Sequence, residues 1–204
     1  MKRKYTILLT WFIMLLIGCG KRNFFPDGDD PGLSRLTSRG YNIATVYINN
    51  VPYINVYRKR LFGGITNSLP TVNRISTNSA FDTLSISWQI EINDNSDSYN
   101  QPYHSISLLI PVSKNFTAHD LLAMNGKRFA SDTNAIAINS FYNYPASLAG
   151  RSNLYFIKVD YNFPPNGPSA TYSFSGLFDG KIGDSILITK GRFDFKIDAN
   201  QIHF

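Results

Sequence analysis

The chain has 204 residues, 43% of them hydrophobic, a formal net charge of +6 from 20 Lys and Arg against 14 Asp and Glu, and a single cysteine. One cysteine excludes an internal disulfide, so stability has to come from a core. Three of the positive charges are Lys2, Arg3 and Lys4, and without them 6 − 3 leaves +3, which is not the balance of a nucleic-acid-binding protein. Tyr5 to Gly18 follow with no charge. That run is too short for a helix across a bilayer, which needs roughly 20 apolar residues. A basic start and a short apolar centre are the anatomy of a secretory signal.

The run ends Leu16-Ile17-Gly18-Cys19, which resembles the lipobox of bacterial lipoproteins. The resemblance implies removal of residues 1–18 and a lipid anchor on Cys19. Two or three acyl chains on one residue hold a protein to a membrane stably where one does not. Gly20, where an aspartate would favour the inner membrane, implies the outer membrane, on its periplasmic or its external face. Residues 19–39 contain Gly, Pro, Asp and Ser with few apolar positions and no period, and are expected to be a flexible tether. Residues 40–204 are expected to form one domain.

Within that domain the dominant signal is alternation. Asn42–Ile48 and Val51–Arg58 flank Asn49-Asn50, a pair that suits a tight hairpin turn because Asn tolerates positive φ. Leu84, Ile86, Trp88, Ile90 and Ile92 are apolar against Thr83, Ser85, Ser87, Gln89 and Glu91, the period-2 pattern of a strand buried on one face. Ile106, Leu108, Ile110 and Val112 repeat it. From Thr117 a capped apolar run ends at Asn125-Gly126, predicting one short helix of about two turns with Asp120 reaching back to its start. Further on, Tyr155, Ile157, Val159, Tyr161 and Phe163 are expected to face inward, as are Tyr172, Phe174, Gly176 and Phe178. After Ile186 and Ile188 the apolar parity changes to Phe193, Phe195 and Ile197. Gly191 at positive φ is expected to supply the bulge, a tight turn over Thr189–Arg192 being the alternative. The fold class expected is all-β: an antiparallel β-sandwich or barrel with one short helix.

The ending Gly176 to Ile197 resembles the closing hairpin of uncharacterised Bacteroidota lipoproteins, which combine a lipobox, a short tether and one compact β domain of unknown function. The resemblance carries over no catalytic residue.

Chemistry is sparse. His104, His119 and His203 are scattered, no Gly-x-Ser-x-Gly occurs, and Glu91 is the only glutamate. Catalytic, metal and cofactor residues are therefore expected to be absent. Asp27-Gly-Asp-Asp30 and Asn93–Asp97 are oxygen-rich but do not fit a calcium loop, so solvated turns are expected there. The tyrosines outside the strand pattern, Tyr99, Tyr103, Tyr142 and Tyr144, are the candidates for a ligand surface. The function expected is a non-enzymatic binding or assembly module, bound to the membrane by lipid, with a glycan or an envelope protein as partner and no nucleic acid. The alternatives are a glycan-active hydrolase assembled from scattered Asp and Tyr, and a β-barrel carrier of an apolar ligand.

Overall fold

A computed structural model describes residues 25–56, 69–93, 104–140, 144–163 and 169–204. Cys19, Tyr99, Tyr103 and Tyr142 lie outside the described residues. The strands are β1 (Ile43–Ile48), β2 (Val51–Val56), β3 (Thr71–Ile75), β4 (Asp82–Ile92), β5 (His104–Val112), β6 (Arg128–Phe129), β7 (Ala135–Ser140), β8 (Tyr144–Asn162), β9 (Thr171–Ile182), β10 (Ile186–Asp198) and β11 (Ile202–His203).

Eight of them, β1, β2, β4, β5, β7, β8, β9 and β10, pair antiparallel in chain order, and β1 pairs with β10 to close the ring. The result is an up-and-down β-barrel, so of the two architectures expected the barrel is the one formed. Closure removes the open edges that a sheet of this size would otherwise expose. Three short strands lie outside the ring: β3 on β4, β11 parallel to β3, and β6 on β8.

An eight-stranded barrel is just wide enough for side chains to fill it. Trp88, Phe156, Phe174, Phe178, Phe193 and Phe195 do so, each 3% exposed or less. Trp88 stands 5.3 Å from Phe195 and 5.6 Å from Phe178 between ring centroids, and Phe156 stands 5.8 Å from Phe193. Each such ring fully removed from water contributes about 1.5–3 kcal/mol.

Local chemistry sets the connections. Asn49 and Asn50 both have positive φ, 49° and 65°, the geometry of a two-residue hairpin whose twist matches its strands. The helix over Ala118–Met124 is 3₁₀ and buries Leu121 and Met124. The Asp120 carboxylate accepts the Thr117 N–H at 2.8 Å and the Thr117 hydroxyl at 2.8 Å, and Gly126 closes the segment at φ +71°, as left-handed glycines do.

Three expectations are corrected. In β8 the inward residues are Leu154 and Phe156, while Tyr155 faces out. A bulge between Phe156 and Lys158 inserts Ile157 and shifts the inward parity to Val159. Tyr161 and Phe163, near the strand's end, are exposed. In β10 the bulge does fall between Ile188 and Gly191, but Lys190 takes positive φ, at 53°. Gly191 is required for a different reason: a Cβ there would lie 2.5 Å from the Phe178 ring. Gly191→Ala should therefore cost about 1–3 kcal/mol through overpacking, read by thermal denaturation. An unchanged midpoint would mean that the Phe178 ring moves aside freely.

The third correction concerns the tether. From Phe25 onward it is a strap packed on the outer faces of β1 and β10. It doubles back through a bridge between Pro26 and Ser34, with Asp27 N–H donating to Leu33 O at 3.0 Å and Arg35 N–H to Phe25 O at 2.6 Å. Leu33 is fully buried. Ion pairs and turn hydrogen bonds hold the strap, so it has no hydrophobic period from which it could be recognised.

Candidate functional site

Two outward side chains of β10, Arg192 and Asp194, are buried because the strap covers them. Arg192 is 8% exposed and Asp194 is 2% exposed, between the inward Phe193 and Phe195. Arg192 Nη1 donates to Asp27 Oδ2 at 2.6 Å and to Ser34 O at 2.9 Å, and Nη2 donates to Asp30 Oδ2. Lys190 Nζ pairs with the other Asp30 oxygen. Asp194 accepts the Gly40 N–H at 2.7 Å, the Arg39 N–H at 3.0 Å and the Thr37 hydroxyl. Together these contacts clasp the strap to the barrel wall.

The clasp fixes the protonation of its acids. The Asp29 backbone N–H and the Arg192 guanidinium hold the Asp27 carboxyl below the usual range. Lys190, opposed by partial desolvation and aided by Arg192, does the same for Asp30. Asp30 in turn raises Lys190. Carboxylates held ionised in ion pairs are poor proton donors. Among the described residues no group of three or more His, Cys, Asp or Glu is placed to hold a metal ion.

One edge of the strap borders a groove of about 790 Å³ on the outer wall of the barrel. Its floor is made by outward residues of β8 and β9: Asn153, Tyr155, Leu177 and Asp179. Register explains the grouping, since Tyr155 pairs with Leu177 and Asn153 with Asp179 across the two strands. One wall is β6, where the Arg128 guanidinium carbon sits 4.7 Å from the centre of the Tyr155 ring, within cation–π range. The other wall is Asp30, Lys190 and Arg192. Asn153 Nδ2 donates to Asp179 Oδ1 at 2.7 Å, and Asn153 Oδ1 accepts the Ser131 N–H at 3.1 Å. Leu177 is 38% exposed at the centre. The groove thus offers a short apolar strip between a stacked Arg–Tyr pair, an amide–carboxylate pair and an ammonium group.

Of the tyrosines read from the sequence, Tyr144 opens β8, its backbone paired with Ser140. His104 pairs with Ser140 at the same barrel end. The described residues next to both candidate tyrosine segments are therefore neighbours at one barrel end. His104 itself lies 6.1 Å from the Tyr53 ring, and burial lowers its pKa. The groove residues were not singled out from the sequence. Parity in the sequence puts Tyr155 on the inner face, and the one local signal for the groove is the Asp27–Asp30 cluster, whose partners lie more than 150 residues away. No family model, curated protein or solved structure matches the chain.

Proposed function

We propose that this protein is a non-enzymatic binding module of the bacterial outer membrane, held by lipid at Cys19, that takes an extended polar ligand in the groove on its outer wall. A glycan is the ligand class that suits the groove best. Stacked aromatic and cationic groups beside an amide and a carboxylate match the alternating apolar and hydroxyl faces of a sugar. The observation that carries the reading is the filling of the barrel. Trp88 and five phenylalanines fill the interior, and among the described residues the outer wall offers an accessible concave surface. The same filling argues against the carrier of an apolar ligand, which needs an open interior.

Two measurements test the reading separately. Cys19→Ser should abolish incorporation of labelled palmitate and release the protein from the membrane fraction; normal labelling of the variant would end the lipid-anchor reading. Leu177→Glu should leave the melting temperature within a degree or two, since exposed substitutions shift stability by under about 0.5 kcal/mol. It should also remove retention on an array of bacterial envelope glycans. Undiminished retention by that variant would exclude the groove.

A further inference from the structure

The exposed aromatic side chains among the described residues gather at one end of the barrel. Phe81 precedes β4 and is 60% exposed, Phe163 follows β8 at 68%, and Phe204 follows β11 at 40%. Strand direction sets them at the same end. Ile75, itself exposed, pairs with Thr83 at the start of β4, and Asn162 pairs with Thr171 at the start of β9, which pairs with Asp198 at the end of β10. Among the described residues the opposite end, with the turn at Asn49-Asn50 and the turn before Ile186, shows exposed aliphatic Val51, Leu148 and Leu187. Singly exposed apolar residues are ordinary. Three exposed phenylalanine rings at a single end are a larger apolar surface than such scattered exposure gives.

The chain approaches at that same end. The Phe25 ring is exposed and lies 5.4 Å from the Tyr41 ring, which leads into β1 there. Cys19 is six residues before Phe25, a separation that spans at most about 20 Å fully extended. Exposed Arg39, Lys114 and Lys196 belong to this end as well, together with exposed Asp160 and Asp198, so the end carries both signs of charge.

We propose that this aromatic end rests on the bilayer. The barrel then stands with Phe81, Phe163 and Phe204 at the headgroup level and the Asn49-Asn50 turn pointing away. The inference rests on the lipid-anchor reading, since the short reach from Cys19 is what brings a bilayer to this end. Aromatic rings favour the membrane–water interface, and a few of them add to an acyl anchor without inserting the domain. The groove on the side wall stays open to a ligand in this posture.

Because Cys19 is the only cysteine, an introduced one is a unique probe. Phe163→Cys, Phe81→Cys and Leu187→Cys are made separately in the full acylated chain, on vesicles of phosphatidylethanolamine and phosphatidylglycerol. Reaction with an impermeant maleimide should be about tenfold slower at 163 and 81 than at 187 on vesicles, as headgroup burial excludes the reagent. The rates should be alike in the soluble Cys19→Ser chain carrying the same substitutions. Equal rates on vesicles, with palmitate present at Cys19, would overturn the posture and leave the anchor standing. Absence of palmitate would overturn the anchor, and the bilayer as occupant with it. Protection that persists in the soluble chain would mean that protein covers this end, which also overturns the proposal.

Discussion

Trp88→Ala is expected to lower stability by about 3–5 kcal/mol, the usual loss for truncating a buried large aromatic. The indole is 2% exposed and meets rings from two other strands, Phe178 on β9 and Phe193 and Phe195 on β10. It therefore links the β4 wall to the wall across the barrel. A closed barrel cannot easily contract around the resulting void, because each strand is fixed by hydrogen bonds on both sides. Trp88→Phe should cost much less. The indole Nε1–H is buried without a hydrogen-bond partner among the described residues, and removing an unsatisfied donor recovers part of a penalty of about 1–3 kcal/mol. Urea unfolding of the two variants tests both statements. Equal losses would mean that the nitrogen is satisfied by a water, and no loss in the Ala variant would mean that the ring cluster is not the core.

Arg192→Met is expected to free the strap and lower the melting temperature by about 5 °C or more. The methionine keeps much of the volume but leaves Asp27 without an ionic partner and Asp30 with Lys190 alone. Removing one member of a partly buried ion cluster is costly because the remaining charges stay desolvated. Amide exchange should speed up at Leu33 and Ser34, whose bonds belong to the strap, and not at Ile106 or Leu108 in the far wall. Acid supplies an independent check. Asp27 and Asp30 have native pKa values below the ordinary 3.8. Their contribution is present above 3.8 and is lost as pH falls from there through the native values. The difference between the wild-type protein and Arg192→Met should therefore narrow below pH 3.8. Lys190 is shifted upward, so its share is retained up to its ordinary 10.5 and lost as pH rises through the native value. A penalty that stays constant in acid would show that Arg192 acts through packing rather than charge.

Most of the barrel was legible because its strands are half-buried. In β4 and β5 one face meets the filled interior, so Leu84, Ile86 and Trp88 alternate with polar residues, as do Ile106 and Leu108 around Ser107. The Asn49-Asn50 turn and the Gly126 terminus were legible for another reason: positive φ is a local demand that few side chains meet. Reading became less reliable where a strand is irregular. In β8, Tyr155, Ile157 and Val159 share a parity in sequence, yet the inserted Ile157 separates them onto two faces. A bulge is set by the neighbouring strand's register, which no alternation within β8 reports.

Sequence by itself determined that this chain would bury one face of many short strands and turn at Asn49-Asn50, because period and φ tolerance are local properties. Whether those strands formed a sandwich or a barrel depended on one pairing, β1 with β10, between segments almost 150 residues apart. The strap and the groove depended on the same closure. Asp27 and Asp30 look like a solvated acidic turn until the end of the chain returns Lys190 and Arg192 to them. Tyr155 looks like core until β6 lays Arg128 across its ring. Tertiary structure decided these features because charge pairing and concave surfaces arise from positions distant in sequence, which only the closed ring brings within a few ångströms.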